Sequence, residues 1–398
     1  MRKLLQRALD QGLELNERAA ASAVNGFDWL FRRKHLVKSG QTEFVLIHDG
    51  DLMSVRFYSL DGEEAIALAD GTYMPIQRNQ HAVPLVLVPP LGVTTETFDL
   101  MPNRSLVRYM AARGFKTYLI CWGKPSRRHA QLDMQDYADR MMAEALAAVR
   151  KHSGADEVSL MGWCMGGLLA LLHAGLPRKR AIRNMVTVAS PIDMRGGGLV
   201  AGVAQVINTP AKLIRKYTDL RMNALNPAVF HAPGWVTTLA FKLTDPIGSV
   251  TTYWDLVTKL WDREFVESHT TTSDYLNNML SYPAGVVGDM LVKVAIDNKL
   301  ASGEIELGKK LSRFRSIRAA ILVFAGDRDV LVSPSTAQGI LDLVGSKDKR
   351  FEVAPGGHMG VILGATAPRA VWEKSADWLA QRSQAKPRVQ AKPQPALA

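Results

Sequence analysis

The sequence predicts an α/β fold in which a mostly parallel sheet is flanked by helices. Apolar runs at residues 85–88, 156–161 and 319–326 have the length of buried strands, and helical patterns or glycine-rich turns follow them. Since 398 residues with 47% hydrophobic content can bury a large core, we expect one catalytic unit with an insertion.

The strand over 156–161 leads into a glycine-rich turn, Gly-Trp-Cys-Met-Gly-Gly, at residues 162–167. The pattern G-x-C-x-G equals G-x-S-x-G with sulfur in place of oxygen, and Gly162 and Gly166 allow the close chain approach of a sharp turn. A helix from about residue 168 would point its N-terminus at the sulfur and favour the thiolate. We therefore predict that Cys164 is a nucleophile; the alternative is a small, inert core residue.

The strand over 319–326 runs into a turn that carries two aspartates. We predict Asp329 as the acid of the site, with Asp327 as the competitor, because a turn after glycine often carries an exposed aspartate. A last strand over 349–355 leads into a glycine-flanked loop that contains His358. His358 is the predicted base, and we expect the other eight histidines to be surface or packed residues.

Cys164, Asp329 and His358 follow one another in the order nucleophile, acid, histidine. This is the chain order of the α/β-hydrolase triad, so the predicted fold class is the α/β-hydrolase fold. In such a site the imidazole takes the thiol proton, the carboxylate orients the imidazole, and the thiolate attacks an acyl carbonyl.

Backbone N–H groups are expected to stabilise the oxyanion that this attack creates. Met165 is predicted to supply one, because it follows the nucleophile. The other is expected from the loop after residues 85–88, in which Pro89 and Pro90 have no N–H. The candidates in that loop are Leu91, Gly92 and Val93.

The chain resembles the polyhydroxyalkanoate synthases over residues 84–379, most closely the short, class III-like catalytic subunit. The resemblance rests on the cysteine box at 162–167, on Pro-Asn-Arg-Ser-Leu-Val at 102–107, on Thr-Val-Ala-Ser-Pro-Ile-Asp at 187–193 and on Gly-His-Met-Gly at 357–360. It implies transfer of (R)-3-hydroxyacyl groups from coenzyme A onto a polyester chain held as a thioester on Cys164. His358 would be the base, and Asp329 would activate the histidine or the incoming hydroxyl. Coenzyme A thioester is then a substrate, and no resident cofactor is implied.

Two departures from the family pattern lie beside the acid. Val330 stands where the family usually has histidine, and Ser333 is an extra residue before Pro334. A thioesterase, an esterase or a small-molecule acyltransferase needs only the triad and is the alternative function. A second alternative is a non-catalytic scaffold associated with polymer granules.

The composition divides the chain into four parts. Residues 1–40 are predicted to form an amphipathic helical segment, 41–195 and 312–382 the hydrolase core, 196–311 a helical cap, and 383–398 a disordered tail rich in Pro, Lys, Gln and Ala. Aromatic residues in the cap would bind an acyl chain and exclude water, or simply pack the insertion: Trp235, Tyr253, Trp254, Trp261 and Tyr275.

The first forty residues have a basic, amphipathic pattern without the apolar core or cleavage site of a signal peptide. Such a helix lies on a lipid or polymer surface, or packs against the protein or a partner. Residues 159–176 lack full charges, but the glycine-rich turn within them favours a buried strand-turn-helix over a membrane span.

The net charge is +11 and the isoelectric point is near 9.6, yet the basic residues form no nucleic-acid recognition motif. We expect an acyl-CoA substrate and a polyester chain as partners, with a homodimer or a small accessory subunit as further candidates, and no specific nucleic acid. Two cysteines form no metal-binding cluster and agree with a reducing compartment. The predicted location is the cytoplasm, with granule association as a candidate.

Overall fold

The computed structural model describes residues 2–177, 181–193, 232–243 and 254–384. Its strands, in chain order, are β1 (Val45–Asp49), β2 (Ser54–Tyr58), β3 (Ala65–Ala67), β4 (Tyr73–Pro75), β5 (Leu85–Val88), β6 (Asp99–Met101), β7 (Arg104–Ser105), β8 (Thr117–Cys121), β9 (Val158–Trp163), β10 (Ile182–Val188), β11 (Glu304–Leu307), β12 (Lys310–Arg313), β13 (Ala320–Gly326) and β14 (Lys349–Ala354). Its α-helices are α1 (Arg2–Phe31), α2 (Arg33–Leu36), α3 (Leu106–Ala112), α4 (Met142–Ser153), α5 (Met165–Ala174), α6 (Gly234–Leu243), α7 (Arg263–Asn277), α8 (Ala284–Asp289), α9 (Pro334–Gln338), α10 (Ile340–Leu343), α11 (Gly360–Leu363) and α12 (Lys374–Arg382).

Eight strands form one mostly parallel sheet in the order β1-β2-β8-β5-β9-β10-β13-β14. β1, β2 and β8 pair antiparallel, and the remaining neighbours pair parallel. The predicted fold class is confirmed, and the strands predicted from apolar runs at 85–88, 156–161, 319–326 and 349–355 coincide with β5, β9, β13 and β14 to within two residues. Because β9 lies between β5 and β10, its end meets the ends of both neighbours.

Alternate residues of the central strands enter two cores on opposite faces of the sheet, as the two-residue period of a strand requires. Leu160 of β9 packs in one core with helices α4 and α5, whereas Met161 packs in the other with α3 and α12. Every residue of β9 is buried, which is typical of a central parallel strand covered on both faces. A π-helical segment, Asp136–Met141, precedes α4 and continues directly into it.

Helix α1 packs on the inserted helices. Asn25 donates a side-chain hydrogen bond to the Leu260 carbonyl at 2.9 Å, and Asp28 pairs with Arg263 at 2.6 Å. Leu36 is fully buried against Leu256 and Val266. The N-terminal segment is therefore joined to the insertion by polar and apolar contacts, while much of the surface of α1 remains exposed.

The described part of the insertion contains α6, α7 and α8, which together with residues 278–283 we call the cap. The boundary predicted between 311 and 312 falls inside β12, because the β11–β12 hairpin packs on the core: Ser312 is buried and donates to the Leu172 carbonyl at 2.7 Å. Residues 194–231 and 244–253, with Tyr253, lie outside the described residues, as does the predicted tail beyond 384. Ser383, where that tail was predicted to begin, is buried, and its carbonyl accepts from the Ala82 N–H at 3.0 Å.

Among the described helices, none combines the length and apolar character needed to cross a bilayer.

Candidate active site

Cys164 lies at the turn between β9 and α5 with φ 52° and ψ −124°. This left-handed backbone is costly for a non-glycine residue and is typical of a strained nucleophile turn. The Cys164 N–H donates to the Val188 carbonyl at 2.8 Å, so the neighbouring strand β10 holds the turn in place. The side chain of Cys164 is partly exposed and the α5 N-terminus follows it directly.

The glycines around Cys164 are needed because the chain segments touch. A Cβ at Gly162 would lie 2.5 Å from the Gly167 nitrogen, and a Cβ at Gly166 would overlap the Val88 carbonyl oxygen. A Cβ at Gly167 would overlap the hydroxyl of Ser190. The close approach predicted for Gly162 and Gly166 is confirmed. The need for glycine at position 167 depends on Ser190, which follows β10 and is distant in the sequence.

Asp329 and His358 form a buried pair. His358 Nδ1 lies 2.8 Å from Asp329 Oδ2, and the two side chains are 2% and 0% exposed. Asp329 Oδ1 accepts from the N–H groups of Leu331 and Val332, each at 2.9 Å. The turn after β13 therefore fixes the carboxylate, and the carboxylate fixes the orientation of the imidazole.

Asp327, the competing acid, has a different partner. Its Oδ1 accepts from the Gly356 N–H at 2.8 Å, and its side chain is 48% exposed. It ties the turn after β13 to the loop that carries His358, whereas only Asp329 reaches the imidazole. Val330, the departure from the family pattern, directly follows Asp329 and is 48% exposed.

The surroundings of His358 favour its protonated form. Burial disfavours its charged form, but the charge of Cys164 and the hydrogen bond to Asp329 outweigh burial and raise the pKa of His358 to about 10. Nε2 is buried and has no hydrogen-bond partner of ordinary geometry among the described residues. Since Cys164 exerts the largest of the influences that raise this pKa, the structure brings the thiol and the imidazole together.

Trp163 secures the histidine loop, a role that is not predicted from the sequence. Its Nε1 donates to the His358 carbonyl at 3.1 Å, and the two rings lie 5.4 Å apart. The sequence signal for Trp163 is its position at the end of β9, directly before Cys164. Its hydrogen-bond partner, His358, lies 195 residues further along the chain.

The predicted oxyanion donors lie on two sides of the turn. Met165 is the first residue of α5, so its N–H has no acceptor within the helix. The loop at 89–93, which we call the oxyanion loop, is adjacent because Gly166 touches Val88 and Pro89. Trp122 donates to the Pro89 carbonyl at 2.8 Å and steadies the loop. The residues predicted in that loop are all buried: Leu91, Gly92 and Val93.

Two tyrosines of the cap approach the site. The hydroxyl of Tyr275 pairs with Thr97, and that of Tyr282 donates to the Leu91 carbonyl at 2.5 Å. Burial raises the pKa of both hydroxyls, and the charge of Cys164 raises each further, which places both near the sulfur. Within the described ranges, no three His, Cys, Asp or Glu side chains are arranged to hold a metal ion.

A family model described as serine aminopeptidase S33 matches residues 103–359, a span that contains Cys164, Asp329 and His358. The poly(3-hydroxyalkanoate) polymerase subunit of Haloferax mediterranei is 30% identical over 309 residues, which cover 77% of this chain and 60% of that protein. The polymerase subunit of Allochromatium vinosum is 24% identical over 75% of this chain and 81% of its own length. The chain thus spans less than two thirds of the Haloferax relative.

Among solved structures, a soluble variant of monoglyceride lipase from Saccharomyces cerevisiae matches with a TM-score of 0.50 and 14% identity. The match covers 88% of this chain and 97% of the lipase, and at that identity it shows the fold alone. The resemblance to polyhydroxyalkanoate synthases noted from the sequence is confirmed by the polymerase relatives. The chain belongs to the serine aminopeptidase S33 family of α/β-hydrolases, and a cysteine occupies the strained turn that follows its strand β9.

Proposed function

We propose that the protein is a cysteine-dependent acyltransferase that polymerises (R)-3-hydroxyacyl-CoA into polyhydroxyalkanoate. The observation that carries the proposal is the cysteine in the strained turn after β9, next to a histidine that a buried aspartate orients. The names of the polymerase relatives supply the substrate class. We predict that catalysis by these three side chains needs no resident cofactor.

In the first step, with the thiol proton of Cys164 already held on His358 Nε2, the Cys164 thiolate attacks the thioester carbonyl of the acyl-CoA. A new S–C bond forms, and the negative charge on the carbonyl oxygen meets the N–H of Met165 and one from the oxyanion loop. The C–S bond to coenzyme A then breaks, and the departing thiolate takes the proton from His358. The acyl group is left on Cys164 as a thioester.

Chain growth needs a hydroxyl in place of water. The 3-hydroxyl of another acyl unit attacks the Cys164 thioester, gives its proton to His358 and forms an ester bond, while Cys164 leaves as thiolate. The two cap tyrosines support this outcome, because Tyr275, which is buried, and Tyr282, which is partly buried, limit the access of water to the acyl-enzyme. A thioesterase would use the same triad with water as the acceptor.

The test is release of coenzyme A from (R)-3-hydroxybutyryl-CoA and from a longer homologue, with products separated into insoluble polymer and soluble acid. We expect polymer from the wild type and a loss of at least about 1000-fold in Cys164→Ala, because no nucleophile remains. Soluble acid without polymer would identify a thioesterase. Absence of release from both substrates would exclude both activities and leave an ester hydrolase or the scaffold as the function.

We further propose a cytoplasmic location at the surface of polymer granules, with α1 in contact with the polymer. Its exposed apolar residues support this contact: Leu13, Leu15, Leu30 and Phe31. A homodimer or a small accessory subunit is the proposed assembly, since several relatives are named as polymerase subunits. Specific nucleic-acid binding is not part of the proposal.

A further inference from the structure

Two hydrogen bonds join the cap to the oxyanion loop. The hydroxyl of Tyr282 donates to the Leu91 carbonyl at 2.5 Å, and the Leu280 N–H donates to the Gly92 carbonyl at 2.8 Å. These two acceptors are consecutive residues of the loop. The cap residues 280–282, which we call the cap segment, therefore hold two successive peptide units beside Cys164.

Each of these peptide units also carries a candidate oxyanion donor. A peptide bond is planar and trans, so the Leu91 carbonyl and the Gly92 N–H lie in one rigid plane and point in opposite directions. The same holds for the Gly92 carbonyl and the Val93 N–H. Fixing the two carbonyls from the cap side consequently fixes the direction of the two N–H groups, and hydrogen bonding to a carbonyl also polarises its N–H.

Packing reinforces the hydrogen bonds. Gly92 has a φ of 81°, and a Cβ at this position would overlap the ring of Tyr282. The ring thus lies directly against the loop backbone, at a distance that only glycine permits. Tyr282 is held in turn by its own N–H, which donates to the Ala232 carbonyl at 3.0 Å.

We propose that Tyr282 is a positioning residue that orients the oxyanion loop through its hydroxyl, so that acylation of Cys164 requires the cap segment in place. This inference rests on the proposed function for its substrate class. Its geometry applies to any acyl donor, because each passes through an oxyanion at the same place.

The test compares two reactions of the same sulfur in the full-length chain. Acylation by p-nitrophenyl acetate forms a S–C(acyl) bond, releases p-nitrophenolate and passes through an oxyanion. Alkylation by iodoacetamide forms a S–C bond, releases iodide and creates no oxyanion. Both rates are followed at Cys164 by peptide mass spectrometry, which separates it from Cys121.

Tyr282→Phe keeps the ring against Gly92 and removes only the hydroxyl. We expect its acylation rate to fall about tenfold, less than the 100- to 1000-fold typical of removing a direct donor, while alkylation stays within about twofold. The matched control is Glu264→Ala, which removes a cap-to-core hydrogen bond outside the cap segment, from the Asn103 amide to the Glu264 carboxylate at 3.1 Å. It should leave both rates within about twofold.

Acylation of Tyr282→Phe at the wild-type rate would overturn the proposal. An equal loss of both reactions would also overturn it, since the hydroxyl would then act on the thiol or on the fold. Failure of the proposed function would give another result. The ester would acylate wild type, and Tyr282→Phe would slow that acylation about tenfold, but wild type would make no polymer from acyl-CoA. Wild type that is alkylated but never acylated would overturn both.

Discussion

Asp329 and Asp327 lie two residues apart in one turn, but they have different partners. Asp329 is fully buried and faces the imidazole of His358, whereas Asp327 is half exposed and accepts from the Gly356 N–H. The first contact orients the proton-transfer group, and the second holds the histidine loop from outside. At the residue scale, a substitution of Asp329 should therefore affect catalysis, whereas a substitution of Asp327 should affect the stability of the histidine loop.

We expect Asp329→Asn to lower kcat for coenzyme A release about 1000- to 10,000-fold, because an amide at this position orients the wrong imidazole tautomer. Asp327→Asn is the matched control and should cost less than about tenfold, since the amide oxygen still accepts from Gly356. Steady-state kinetics on both variants checks the assignment. Equal losses in the two variants would contradict it.

The protonation of His358 depends on its neighbour Cys164. Because the charge of Cys164 is the largest influence that raises the pKa of His358, its removal should favour the neutral ring. We expect the imidazolium of wild type to persist above the ordinary value of 6.5, toward about 10, and the pKa of His358 in Cys164→Ser to be lower than in wild type.

Nitrogen chemical shifts of the histidine rings, followed by NMR as the pH is raised, measure this pKa directly. His358→Gln identifies the signal among the nine histidines. Identical titration of His358 in wild type and in Cys164→Ser would show that the two side chains are not coupled.

At the scale of elements, the β9–α5 turn and the end of β5 are in contact at Gly166. A Cβ there meets backbone atoms of Val88 and Pro89, which cannot rotate away. We expect Gly166→Ala to lower the free energy of unfolding by about 3 kcal/mol or more and to slow acylation, because α5 and the oxyanion loop are pushed apart.

Gly288→Ala is the matched control for this substitution. Gly288 lies in α8, has a helical backbone and has no atom within 4 Å of an added Cβ. Its substitution should leave the free energy of unfolding unchanged or raise it by up to about 1 kcal/mol. Denaturant unfolding of the two variants measures both values, and similar values would refute the packing argument.

Across the whole molecule, α1 combines a packed part with an exposed apolar surface. Asn25, Asp28 and Leu36 anchor the N-terminal segment to the cap and its flanking residues, whereas Leu13 and Leu15 are 61% and 68% exposed. The amphipathic pattern of residues 1–40 predicts either a packed helix or a surface-binding helix. The structure shows packing in one part of α1 and leaves the other part available for a surface.

We expect the double variant Leu13→Glu, Leu15→Glu to bind amorphous poly(3-hydroxybutyrate) particles at least about tenfold more weakly, because two apolar side chains no longer enter the interface. The matched control is Val45→Glu, Leu46→Glu, which changes an apolar pair on the edge strand β1 that is 57% and 49% exposed. Cosedimentation measures both. Unchanged binding of the α1 variant would rule out this surface.

Local patterns in the sequence were sufficient for the strands and for the order of the reactive residues. A buried strand is apolar along its own length, and a sharp turn needs glycine within a few residues, so β5, β9, β13 and the turn at Cys164 can be recognised from neighbours in the chain. The same information singled out His358 and favoured Asp329 as the acid, with Asp327 as the competitor.

The tertiary structure decided what depends on segments far apart in the chain. It showed that Asp329, the predicted acid, contacts the imidazole and that Asp327 does not, because packing of the histidine loop on the sheet determines which carboxylate meets the ring. It also brought Trp163 to the His358 carbonyl and Tyr282 to the oxyanion loop, across about two hundred residues. Such contacts follow from the order of strands in the sheet and from the position of the cap. They cannot be predicted from the residues that neighbour Trp163 or Tyr282 in the sequence, because those residues do not determine which distant segment packs against them.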